Sequence, residues 1–189
     1  LSAQTDNQQG KISETDIAWL AGLWDGEGSI GMKVQKYHVG GRTYFEPYAQ
    51  VVNTHAGTLE HVDAILTELR VGHHISWPRP HQHPNGTMPV SDYKPLWSVR
   101  IHGLNRVKAL LKWISPFLVT KAEQAKLVNE YIQSREGHQY RQYWAYSERE
   151  LEIVNTFRMG RHSGKTTKVL SRESLNDYTR GALSESAKV

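Results

Sequence analysis

An apolar rhythm sets in at Ile17, with Leu20, Leu23 and Trp24 following at helical spacing. Ser13 stands where an N-cap belongs, Asp16 takes the third helical position, and Ile12 and Ile17 bracket the cap as a hydrophobic staple. The pattern predicts a helix through ETDIAWLAGLWDG, ended by Gly26 and Gly28. The period then falls to two. In SIGMKVQKYHV, Met32 and Val34 share one face and Lys33, Gln35 and Tyr37 the other, as in a half-buried strand. Gly40-Gly41 suits a hairpin turn. In the returning strand TYFEPYAQVV, Tyr44, Glu46, Tyr48 and Gln50 oppose Phe45, Ala49 and Val51. Pro47 removes a ladder bond, so an edge position or a local irregularity is expected there.

A second helix is predicted through GTLEHVDAILTELR, with Leu59, Val62, Ile65, Leu66 and Leu69 apolar, and a strand near His73–Trp77. PRPHQHPNGTMP reads as a loop. LWSVRIH alternates again, with Trp97, Val99 and Ile101 against Ser98, Arg100 and His102. LNRVKALLKWI is helical, Pro116 interrupts, TKAEQAKLVNEYIQ is helical, and a short helix begins near Ser147. The order is α-β-β-α-β-β-α followed by C-terminal helices. Hairpins rather than crossovers imply an α+β fold, with an antiparallel four-stranded sheet and helices on one face. The other face is rich in Lys, Gln, Tyr, Arg and Ser. Residues 1–12 are expected to be a disordered tail, 13–160 the core domain and 161–189 a basic C-terminal extension.

The 189 residues suit one domain with a sizeable core. No apolar run approaches the roughly 18 residues of a membrane helix. The polar opening LSAQTDNQQGK lacks the cationic and apolar regions of a secretory signal. The absence of cysteine excludes disulfides, thiolate zinc sites and cysteine nucleophiles, and suits an intracellular setting. A prokaryotic cytoplasm or an organelle is equally compatible. The net charge of +4 changes the picture little; six Trp and nine Tyr change it more, since these side chains favour surfaces that are apolar on one side and wet on the other.

The nonapeptide Leu20 to Gly28, LAGLWDGEG, occurs once and ends the first predicted helix. It resembles the signature of the LAGLIDADG homing endonucleases. Trp24 stands in place of the usual aliphatic, Gly26 in place of a small residue and Glu27 in place of the second Asp. SPFLVTKAEQA and GKTTK resemble further segments of that family, and the likeness extends over most of residues 13–170. It implies a saddle-shaped sheet and a Mg²⁺-dependent nuclease, with Mn²⁺ an alternative ion.

Gly22 and Gly26, four residues apart, let two such helices approach closely. Leu20, Ala21, Gly22, Leu23, Asp25 and Gly26 are therefore expected at a dimer interface, with Asp25 also read as a hydrogen-bonding residue at the helix end. With no internal repeat, the chain has to dimerise to bring two carboxylates together, and a two-fold protein suits a roughly palindromic double-stranded DNA target. The resemblance implies Glu27, beside Gly26, as the metal-holding position, with Glu27, Lys121 and Asn53 catalytic; Thr54 rivals Asn53 in this match. Where the family often has an Arg, this chain has HAGT, and His55 is a possible substitute.

The polar sheet face is expected to lie in the DNA major groove. The candidates there are Lys33, Gln35, Tyr37, Arg42, Tyr44, Glu46, Tyr48, Gln50, His74, Ser76, Arg79, Ser98 and Arg100. Arg161, Lys165, Thr166, Thr167 and Lys168 are expected on the phosphate backbone. HHISWPRPHQH fits no tetrahedral zinc spacing, and His83 and its neighbours are read instead as a DNA-touching loop. No small-molecule substrate and no membrane partner is expected. Besides a site-specific endonuclease, an intron RNA maturase or a non-cleaving DNA-binding protein on the same fold would also answer to the pattern.

Overall fold

Helix α1 (Glu14–Glu27) begins at the predicted cap: the Asp16 N–H donates to the Ser13 hydroxyl at 3.1 Å, and the Ser13 N–H returns a bond of 3.1 Å to the Asp16 carboxylate. Such reciprocal bonds satisfy donors that the first helical turn leaves without partners. Gly26 lies inside the helix rather than ending it. The C-cap is Gly28, with extended backbone at φ −82°, so left-handed geometry does not explain the glycine. Crowding does: a Cβ there would lie 2.7 Å from Trp24 Cδ1 and 2.8 Å from its Cα. The computed structural model describes residues 12–36, 43–76, 95–136, 146–159 and 169–171. Expectations for the N-terminal tail, Tyr37, the Gly40-Gly41 turn, Arg42, Arg79, Arg161, Lys165, Thr166, Thr167 and Lys168 fall outside them.

After α1 come β1 (Gly28–Lys36), β2 (Thr43–Asn53), α2 (Ala56–Glu68), β3 (His74–Ser76) and β4 (Trp97–His102). Then follow α3 (Leu104–Ile114), a 3₁₀ turn (Ser115–Phe117) containing Pro116, α4 (Ala122–Arg135) and α5 (Glu148–Met159). The strands form an antiparallel sheet in the order β1-β2-β4-β3, with Ile30 opposite Ala49, Lys33 opposite Glu46 and Gln50 opposite Arg100. The predicted α+β order is thus the observed one. One sheet face, with Ile30, Met32, Phe45, Ala49, Val51, Val99 and Ile101, packs on helix residues that include Leu20, Trp24, Leu66, Leu110 and Ile132.

Three side chains depart from the alternation. Val34 was expected inside but is exposed near the end of edge strand β1. Tyr48 was expected on an open polar face but is only 6% exposed. Phe157, in the last turn of α5, folds over β1 onto that face: a Cβ on Gly31, the register partner of Tyr48, would lie 3.1 Å from Phe157 and 3.3 Å from Tyr48. Ser98 is only 4% exposed, a small side chain between Val52 and Ser76 on the flanking strands.

Pro47 is accommodated because β4 stops pairing at Tyr48. Beyond it the Pro47 carbonyl accepts from the Gly103 N–H at 3.1 Å, and the missing N–H falls where no strand would receive it. Two residues earlier, Phe45 turns its N–H and C=O to that same side. The Phe45 N–H donates to the Tyr146 hydroxyl at 3.3 Å, and the Tyr131 hydroxyl donates to the Phe45 carbonyl at 3.2 Å. These hydroxyls take over where β4 ends and stand in for its continuation. Behind them, buried Arg135 lies 3.6 Å from Glu150 and 4.8 Å from the Tyr146 ring. Burial pushes both phenols up, so they stay neutral.

Candidate active site and nucleic-acid face

The end of α1 gathers three of the predicted functional residues. Glu27, the last helical residue, is exposed, and its carboxylate accepts from the Asn53 amide at the end of β2. The other end of that amide is fixed in turn, since Asn53 Oδ1 accepts from the His55 N–H at 2.8 Å. Thr54, the rival position, is exposed at the turn. Lys121 arrives from the start of α4, and its ammonium donates to the backbone carbonyl of Asp25. Glu27, Asn53 and Lys121 are therefore brought to one helix end from three elements.

Asp25 explains why Lys121 is there. Its carboxylate accepts from the backbone N–H groups of Val119 at 2.6 Å, Thr120 at 3.2 Å and Lys121 at 2.9 Å. Helix α4 has no side-chain cap at its own N-cap, Lys121; Asp25 instead ties down the three residues that lead into the helix, up to the N–H of the N-cap residue itself. Burial pushes the Asp25 carboxyl up, but the backbone donors of Val119 and Lys121 and the contacts with Thr120 outweigh it and hold it below 3.8. The hydrogen-bonding role predicted for Asp25 is the one seen, and its partners lie within the chain.

The predicted dimer face is only partly available. Leu20 and Ala21 are fully buried in this chain's own core, because α1 turns them toward the sheet. Trp19, which the sequence reading passed over, is 39% exposed and joins Gly22, Gly26 and half-buried Leu23 on the opposite face. Among the described residues, and apart from the helix's own backbone, nothing lies within 4 Å of where a Cβ would stand on Gly22 or Gly26. The Trp19 and His61 rings meet at 4.7 Å beside this stripe.

His55, considered as a stand-in for a basic side chain, is the N-cap of α2: the Thr58 N–H donates to its Nδ1 at 3.1 Å. His73, from the histidine cluster, has Nδ1 2.7 Å from the Val71 carbonyl and Nε2 2.6 Å from Asp63. Among the described residues, no group of three or more His, Cys, Asp or Glu side chains could hold a metal ion.

On the polar sheet face, Lys33, Gln35, Tyr44, Glu46, Gln50 and Ser76 are half-buried, while His74 and Arg100 are exposed. Tyr48 and Ser98 are withdrawn from it, as described above. The Lys33 ammonium sits 4.7 Å from the centre of the Tyr48 ring, and Gln35 reaches Glu46 at 3.5 Å. His102 belongs to this face although it was not among the expected DNA contacts; its alternation with Arg100 in LWSVRIH was the available signal. Burial, then Lys33, Arg100 and Arg106, hold its imidazole below the ordinary 6.5, while Glu46 pulls the other way. No helix among the described residues is long and apolar enough to cross a membrane.

No protein-family model and no curated protein matches the sequence. Solved structures do match. The homing endonuclease I-CvuI, in complex with its DNA target, is 17% identical with a TM-score of 0.60 over 89% of this chain and 95% of that one. The group I intron-encoded homing endonuclease I-CeuI, complexed with DNA, is 15% identical with a TM-score of 0.60 over 90% of this chain and 78% of that one. The LAGLIDADG meganuclease I-AabMI, bound to uncleaved DNA, is 17% identical with a TM-score of 0.51, and this chain spans 49% of its length. The chain thus carries the LAGLIDADG homing-endonuclease fold, with a single copy of the signature nonapeptide closing α1.

Proposed function

We propose that the chain is a site-specific homing endonuclease, a homodimer that makes a staggered double-strand break in a long, roughly palindromic DNA target. The observation that carries this reading is the placement of Glu27. It is an exposed carboxylate at the end of a helix whose neighbouring face, with Trp19, Gly22 and Gly26, is uncovered. Small residues allow two such helices to cross closely, so that a second copy sets its own Glu27 beside the first. That this chain spans nearly all of I-CvuI but half of I-AabMI supports one such unit per chain.

The available donors fit a hard divalent cation. Two Glu27 carboxylates, at positions flanked by Gly26, together with phosphate oxygens, make the oxygen-only set that Mg²⁺ or Mn²⁺ takes. Such an ion supplies an activated water and neutralises charge on the phosphate. Asn53 fixes the orientation of the Glu27 carboxylate. Lys121 holds positive charge at the same helix end, placed to stabilise the developing phosphorane charge. The polar sheet face lies along the major groove, with Lys33, Gln35, Tyr44, Glu46, Gln50, His74, Ser76 and Arg100 available to it. The DNA complexes of I-CvuI and I-CeuI support a nucleic-acid partner for this fold.

The test is incubation with a randomised duplex library in Mg²⁺ and in EDTA, for the native chain and Glu27→Gln. Cuts that need both the metal and Glu27 are expected. Sequence-selective binding without any cutting by the native chain would leave a DNA-binding protein on this fold. Failure to bind DNA, together with activity in intron splicing, would leave a maturase.

A further inference from the structure

We infer that His102 and Glu46 form a proton-linked reading pair that sets the base preference at one position of each half-site. This rests on the endonuclease reading above and names a determinant of its specificity. Glu46 on β2 and His102, the last residue of β4, occupy adjacent positions on the polar face; His102 pairs in register with Tyr48, two residues from Glu46. Their side chains are 25% and 28% exposed, so each keeps a polar edge toward the groove.

The geometry between them is unfinished. His102 Nδ1 is enclosed and has no hydrogen-bond partner among the described residues. Glu46 Oε2 is 3.8 Å away, beyond hydrogen-bond length. Among the described residues, the same oxygen receives one long bond, of 3.5 Å from Gln35. The Glu46 carboxylate therefore has no tight bond to either neighbour. In the major groove, a carboxylate in that condition accepts from the N4 amino group of cytosine.

The charged groups facing His102 come from four elements: Lys33 on β1, Glu46 on β2, Arg100 on β4 and Arg106 on α3, with the Tyr48 ring of β2 stacked 6.3 Å away. Three cations against one carboxylate, with burial, keep the imidazole neutral at neutral pH, and a neutral ring makes no charged claim on Glu46. On acidification Nδ1 becomes a charge-assisted donor. Closing the gap to about 2.8 Å then draws the carboxylate from the base to the imidazolium. Reading at that position is therefore strong when the solution is neutral or basic and weak when it is acidic.

The experiment selects bound molecules from a randomised duplex library in Ca²⁺ at about pH 8 and in steps down to about pH 5, because the His102 imidazole titrates below the ordinary histidine range. It uses the native chain, Glu46→Gln and His102→Gln. Thermal melting at the higher pH verifies that the variants fold. For the native chain, one position per half-site should favour cytosine about tenfold at the highest pH and about threefold or less at the lowest. Glu46→Gln should change the preference at that position alone, and His102→Gln should keep it at every pH. A base preference indifferent to pH, or one that responds to pH equally in His102→Gln, overturns the pair while leaving the endonuclease reading intact. Failure of the native chain to bind any duplex overturns the endonuclease reading, and the pair with it.

Discussion

Replacing Asp25 with alanine tests how the end of α1 is joined to the start of α4. The substitution removes a carboxylate that accepts three backbone N–H bonds, at 2.6, 2.9 and 3.2 Å. The bond from the N–H of Lys121, the residue that opens α4, is worth about 1 kcal/mol as an ordinary, partly buried hydrogen bond. The other two lie in a partly exposed loop, and at about 0.5–1 kcal/mol each they bring the total to about 2–3 kcal/mol. For a chain of this size that is a fall in Tm of about 4–12 °C. The pH dependence has a fixed sign. A carboxyl held below its unfolded value contributes stability that is present above that value and lost as pH falls through the folded one. The gap between native chain and variant should therefore be full near neutrality and shrink below pH 3.8. Calorimetric melting of both proteins across that range is the assay. A Tm within about 1 °C of native near neutrality, or a gap that persists unchanged at about pH 2, would refute the account.

Three other outcomes follow from the same geometry. Asn53→Ala removes the donor that orients Glu27, and cleavage should fall by about 10- to 100-fold with DNA affinity little changed, measured by single-turnover cutting beside a binding titration. Gly22→Leu places bulk where, among the described residues and apart from the helix's own backbone, nothing lies within 4 Å. The variant should still melt cooperatively, with a Tm that no longer rises with protein concentration, yet sediment as a monomer and fail to cut; a cutting dimer would contradict the proposed helix contact. Tyr131→Phe removes the hydroxyl that donates to the Phe45 carbonyl and should cost about 1 kcal/mol, read from denaturant midpoints at constant slope.

The elements were legible because the local signals agreed with one another. Ser13 and Asp16 announced the start of α1, and alternation around Met32 and Ile101 marked the faces of β1 and β4. Glu27, Asn53 and Lys121 were nameable only through the motif and the segments resembling the family, and the structure brings all three to one helix end. What stayed hidden depends on residues remote in sequence. Alternation puts Tyr48 on the polar face, but Phe157 closes over it from the last turn of α5. Helix α1 has apolar residues on two faces, so periodicity alone did not show that Leu20 and Ala21 turn inward while Trp19 and Gly22 turn outward. The Asp25 carboxylate could be read as hydrogen-bonded, but nothing local pointed to acceptance from residues 119–121.

The tyrosine hydroxyls that complete β2 also impose an order on biosynthesis. Tyr131 and Tyr146 follow Phe45 by 86 and 101 residues. A nascent chain that has emerged through β4 can pair its strands, yet it still displays a bare amide and carbonyl on the flank of β2. Such a flank is a template for joining another chain. A fragment ending before α4 is accordingly expected to aggregate where the native chain does not, as light scattering of the two side by side would show.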